Sequence, residues 1–130
     1  DRLREGNEAT IAATGVMTAV ALEAAEILAS RGRAVRVLNF STIKPIDVEE
    51  IVAAARETGA IVTAEEHSVI GGLGSAVAEV VVRHHPVPME FVGIQDRFGQ
   101  SGKPAELMKE YGLTAEDVVA AVERAIARKR

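Results

Sequence analysis

Apolar positions along the chain alternate between two rhythms. Residues 9–14 (ATIAAT), 34–40 (AVRVLNF), 60–65 (AIVTAE) and 89–94 (MEFVGI) are short and densely apolar. That is the pattern of strands covered on both faces. Longer stretches with helical spacing lie between them. Residues 16–30 place Val20, Ala24, Ile27 and Leu28 on one stripe, with Gly32 just past the end. A second helix begins after STIKPID, with Asp47 as N-cap and Glu50 three residues on, as in a capping box. Ile46 and Ile51 sit where a hydrophobic staple would close. Val48, Ile51, Val52 and Ala55 form its predicted inner face, and Gly59 ends it.

Residues 75–85 repeat the pattern with Val77, Val80, Val81 and His84, until Pro86 and Pro88 stop the helix. A short helix is predicted near 104–111. A final one is capped by Thr114, with Val118, Val119, Val122 and Ile126 facing inward. Strand–helix alternation with long crossovers implies parallel strands with helices on both faces, a three-layer α/β/α sandwich. The segment RLREG (2–6), turned by Gly6-Asn7, reads as an added edge strand.

Composition narrows the function. A chain of 130 residues, 48% apolar and 26% charged, is one ordinary globular domain. A net charge of −4 disfavours a nucleic-acid grip, and Phe40, Phe91, Phe98 and Tyr111 are too few for a base-stacking platform. The absence of cysteine removes disulfides, thiolate metal sites and a Cys nucleophile. No apolar run approaches a membrane span and no signal peptide precedes the first strand, so the expected compartment is the cytoplasm. The opening DRLREGNEATI, without Met, reads as a cut piece of a longer polypeptide.

In such sheets ligands gather at the carboxyl ends of the strands. That rim would carry Thr14-Gly15, Asn39-Phe40, Glu65-Glu66-His67 and Gln95-Asp96-Arg97. The stretch EEHSVIGGLGSA invites comparison with nucleotide-binding loops. Gly72 and Gly74 are followed by Val77 where the dinucleotide fingerprint wants Gly or Ala, and the loop follows the third strong strand rather than the first. No Gly-Lys-Ser/Thr follows, which excludes a P-loop. Two readings stay open for Gly71, Gly72 and Gly74: tight turning with close helix–sheet packing, or an anion at the helix N-terminus.

Glu65, Glu66 and His67 leave a strand in opposite directions and do not converge easily on one atom, so capping or interface roles fit better than catalysis. His84-His85 and Arg128-Lys129-Arg130 suit the last turns of helices. The candidate rim is therefore Glu65, Glu66, His67, Gly71, Gly72, Gly74, Asp96 and Arg97, with no catalytic, cofactor-binding or metal-ligating residue assigned.

Three segments, VLNFSTIKPID, TAEEHSVIGGLGSAVAEV and GIQDRFGQSGKPAELMKEYGLT, together resemble the C-terminal domain of transketolase. The likeness runs from about residue 8 to 128 and is closest to the C-terminal section of split transketolases. The wider thiamine-diphosphate-dependent group includes 1-deoxyxylulose-5-phosphate synthase and the β subunits of 2-oxoacid dehydrogenases. The D-R-F-G-x-S-G segment and His67 favour transketolase.

The resemblance implies a five-stranded mixed sheet whose first strand is antiparallel. It also implies a parent enzyme that moves a two-carbon ketol unit between sugar phosphates with thiamine diphosphate and Mg2+ or Ca2+. Those cofactors would be held by the N-terminal and middle domains, since the family's G-D-G motif is absent here. This domain would bind none of them, act as an assembly element of a homodimer, and be inactive alone. Two other readings are a ligand-sensing module, with an anion over Gly71–Gly74 and Arg97, and a docking surface for a multienzyme core.

Overall fold

The computed structural model of the chain describes residues 1–68, 71–94 and 105–129, except the side chains of residues 67, 68, 94 and 105–107. The predictions for Asp96 and Arg97, and for the side chain of His67, lie outside the described residues. The chain runs β1 (Arg2–Arg4), β2 (Ala9–Ala13), α1 (Met17–Ser30), β3 (Val35–Asn39), α2 (Val48–Thr58) and β4 (Ile61–Ser68). It continues through α3 (Leu73–His84), β5 (Met89–Ile94), α4 (Ala105–Glu110) and α5 (Ala115–Ala127).

The five strands form one sheet in the order β1-β3-β2-β4-β5. Strand β1 is antiparallel to β3, and the other pairs are parallel. The mixed sheet and the antiparallel edge strand match the expectation. Parallel strands need crossovers, and here the crossovers divide the helices between two layers. Helices α1 and α5 cover Ile11, Val35, Val37 and Val62, whereas α2 and α3 cover Ala12, Leu38 and Ile61. Neighbouring strand residues thus enter different cores, which is the period-2 alternation at work.

The helical faces differ from the predicted stripes in one consistent way. In α2 the buried residues are Ile51, Ala54, Ala55 and Thr58, and Val48 is 39% exposed. In α1 they are Met17, Ala21, Ala24, Ala25 and Leu28, with Val20 and Ile27 only partly covered. Alanine, with no side chain beyond Cβ, lets a helix lie close to the sheet. Small residues at the contact therefore decide the face as much as large ones do. His84, predicted inside, is exposed at the end of α3.

The caps are largely as predicted. The Asp47 carboxylate accepts from the Glu50 N–H at 3.1 Å. Glu50 does not return the bond; its Oε1 accepts instead from Arg2 Nη2 at 2.6 Å, tying α2 to the edge strand. Thr114 and Asp117 form the complete reciprocal box at the start of α5. Two of the C-terminal cations, Arg128 and Lys129, are bound within the fold. Arg128 pairs with Glu90 at 3.0 Å, and Lys129 Nζ donates to the Glu8 carbonyl at 2.8 Å.

Candidate functional site

Strands β2, β3 and β4 end side by side, and the chain leaves them for opposite faces. From β2 it turns to α1 on one face; from β3 and β4 it turns to α2 and α3 on the other. Divergence of this kind opens a crevice at the carboxyl edge of an α/β sheet. Two strand-to-helix turns frame the rim, and they are built differently.

The β4–α3 turn carries Glu65. Alternation along β4 sends its side chain toward α3, on the same face as Ile61 and Thr63. The carboxylate is 1% exposed. Its Oε1 accepts from the Leu73 N–H at 2.8 Å and its Oε2 from the Gly74 N–H at 2.7 Å. These are two of the N–H groups that the first turn of a helix leaves without an intrahelical partner. A charged acceptor on such groups is among the stronger hydrogen-bonding arrangements, and the helix dipole adds to it. Gly74 is needed for the approach, because a Cβ there would lie 2.8 Å from Phe91 Cδ1 and 3.3 Å from Glu65 Oε2. The Gly71 N–H donates to Ser75 Oγ at 3.1 Å. An internal carboxylate therefore takes the Leu73 and Gly74 N–H groups that an external anion would use.

The β2–α1 turn has no such device. Helix α1 has no side-chain cap and no acidic residue in its first turn. Gly15, at φ +57°, stands in open space with nothing within 4 Å of a would-be Cβ. Beside it Thr18 Oγ1 donates to Asn39 Oδ1 at 2.9 Å. The turn opens onto a crevice of about 620 Å³, walled by Thr14, Thr18, Asn39, Phe40, Ile43 and Glu66. Glu66 follows Glu65 by one residue and accordingly points to this side. Its Oε2 is buried and, among the described residues, has no hydrogen-bond partner.

The rim residues of the sequence thus separate into two groups. Glu65, Gly71, Gly72 and Gly74 build the β4–α3 turn, whereas Glu66 lines the crevice. Thr18, which lines the crevice with them, was not singled out from the sequence. The available signal was an absence, a helix start at VMTAV without acid or cap. Among the described residues, no three His, Asp or Glu side chains gather as a metal site.

These features define an α/β/α domain with a crevice of mixed polar and apolar lining at its carboxyl edge. The chain belongs to the family described as transketolase, C-terminal domain, which matches residues 1–118. It is 50% identical over 127 residues to a 6-deoxy-6-sulfo-D-fructose transketolase subunit of a Clostridium species, covering 98% of this chain and 39% of that protein. It is 43% identical over 117 residues to a 1-deoxy-D-xylulose-5-phosphate synthase of Heliobacterium modesticaldum, covering 89% of this chain and 18% of that one. Among solved structures, a split gene transketolase described as an inactive beta4 tetramer superposes with a TM-score of 0.94 at 57% identity, covering all of this chain and 43% of that one. The chain spans less than half the length of each of these relatives.

Among the described residues, the rim does not gather the oxygen donors that a divalent metal would need. A metal site wants several oxygen donors converging, and here the two adjacent carboxylates diverge, with Glu65 already bound to α3.

Proposed function

We propose that this chain is the assembly domain of a split transketolase, packing against thiamine-diphosphate-binding domains supplied by the rest of the enzyme. The parent activity is transfer of a two-carbon ketol unit between sugar phosphates, in a homodimer of the cytoplasm, in metabolism of the pentose phosphate type. Thiamine diphosphate and its divalent metal, Mg2+ or Ca2+, belong to the partner domains. This chain's own residues hold the fold and present a docking rim.

The observation that supports this most is the likeness along the whole chain, at 57% identity, to a split-gene transketolase of which it covers 43%. A chain that aligns end to end with part of a longer subunit fits an accessory role within that subunit.

The test is reconstitution. The chain is mixed with the cognate section carrying the thiamine motif, and ketol transfer is assayed for the mixture and for each part. Activity is expected only in the mixture, and calorimetry should detect no thiamine diphosphate binding by this chain alone. Tight binding of the cofactor by the isolated chain, or full activity of the partner without it, would overturn the proposal.

A further inference from the structure

The crevice holds an unfinished interaction. A carboxylate oxygen of Glu66 is out of water with no donor among the described residues. Buried polar atoms without partners are uncommon in folded proteins, and leaving one unpaired is costly. The walls indicate what could complete it. Gly15, Thr14, Thr18 and Ser41 are small and leave the mouth open, while Phe40 and Ile43 add an apolar surface. That combination suits a long side chain with a methylene stem and a cationic head.

A phosphate or other anion fits poorly. The first N–H groups of α1 are already engaged, Met17 with the Thr14 carbonyl and Thr18 with the Gly15 carbonyl, each at 3.1 Å, and the Glu66 carboxylate in the same crevice would repel it.

Asp1 is held at the same rim. Its N-terminal amine donates to the Asn39 carbonyl at 3.0 Å, and the Asn39 N–H donates to the Asp1 carbonyl at 2.8 Å. Any polypeptide joined ahead of Asp1 therefore arrives at this rim, next to a crevice residue. We propose that the crevice is the docking point for the thiamine-binding part of the enzyme, which places an arginine or lysine against Glu66. This rests on the function proposed above and assigns the surface and the recognising residue.

The experiment measures the affinity of this chain for the thiamine-binding section by sedimentation or interferometry, at low and high salt. Removing one member of a desolvated charge pair raises Kd by about 30-fold or more. Glu66→Gln, which keeps the shape and removes the charge, is expected to do so. Glu66→Lys should weaken binding further. Ser41→Trp, at an exposed residue of the crevice mouth, should weaken it by blocking entry without touching Glu66. In the isolated chain Glu66→Gln should melt no lower than wild type, since the oxygen it alters has no donor to lose among the described residues. A merely structural Glu66 would give the opposite pattern, a lower melting temperature and unchanged affinity.

If all three variants bind within twofold of wild type while the wild-type pair is active, the docking inference falls and the assembly function stands. If the wild-type chain neither binds the section nor supports activity, both fall. A sugar phosphate that stabilises the isolated chain in a Glu66-dependent way would make the crevice a small-molecule site and also overturn the inference.

Discussion

The two glycine-bearing turns at the carboxyl edge have the same job, to carry a buried strand into a helix, and they solve it in opposite ways. At β4–α3 the chain supplies its own anion: the Glu65 carboxylate receives the Leu73 and Gly74 N–H groups, and Gly74 is closed in by Phe91, Thr63 and Glu65. At β2–α1 the helix begins without a side-chain cap, Gly15 faces open space, and one oxygen of the Glu66 carboxylate has no donor among the described residues. A cluster of glycines next to acids is therefore a poor guide to where a ligand or partner goes. The better guide is which N–H groups and carboxylates the fold has left unmatched.

The largest break in this comparison should come from Glu65. Hydrogen bonds to a charged group contribute about 1.5–3 kcal/mol each, so Glu65→Ala, which removes two and leaves a void, should destabilise the domain by about 3–5 kcal/mol in urea unfolding. Glu65→Gln can still accept one N–H, but its amide group then faces the other, and a loss of about 2 kcal/mol is expected. If Glu65→Ala loses less than about 1 kcal/mol, the turn is not held by its carboxylate and the contrast with β2–α1 disappears.

The glycines should separate the turns by mechanism. Gly74→Ala puts a methyl group 2.8 Å from Phe91 Cδ1, and overpacking of this kind costs about 1–3 kcal/mol. Gly15→Ala meets nothing but must adopt φ +57°, a left-handed conformation that costs an L-residue about 1–2 kcal/mol. Asparagine tells them apart. It tolerates the left-handed region, so Gly15→Asn should recover much of the loss, whereas Gly74→Asn should be worse than Gly74→Ala. Equal responses at both positions would mean that the two glycines serve the same purpose.

Much of this contrast could be read from the chain, and the reasons are local. Period-2 alternation was enough to send Glu65 and Glu66 to opposite sides, and the spacing of Gly72, Gly74 and Val77 was enough to reject the dinucleotide fingerprint. The edge strand at residues 2–4 and the caps at Asp47 and Thr114 were likewise legible from short-range pattern. The partners of the carboxylates were not. Glu65 meets the N–H groups of Leu73 and Gly74 across a turn, and Thr18 meets Asn39 from 21 residues away, so both depend on how strands and helices come together.

The same limit explains the helix faces. Val48 has the spacing of the inner stripe of α2 but is exposed and Val52 packs only partly against the core, whereas the sheet accepts Ala54 and Thr58, and Thr58 has a buried partner in Thr10 Oγ1 at 2.8 Å. Glu50 had the spacing of a capping box and was captured by Arg2 of the edge strand, whose position only the assembled sheet determines.

The smallest effect bears on the open turn. Val16, at the start of α1, is 51% exposed and the first turn carries no acid. A negative charge at a helix N-terminus stabilises by about 0.3–1 kcal/mol at low salt. Val16→Asp should therefore raise the stability of the isolated domain by that amount, and the gain should fade toward 1 M salt as screening sets in. No gain at low salt would indicate that the N-terminus of α1 is already matched, with the Glu66 charge as the nearby source, and the two turns would then differ in degree rather than in kind. A gain that appears in the isolated chain and vanishes when the thiamine-binding section is bound would place that section over α1 as well as against Glu66. The added carboxylate would also raise the local negative charge at the crevice, so a cationic partner should bind Val16→Asp no more weakly than wild type, whereas an anionic one should bind it less well.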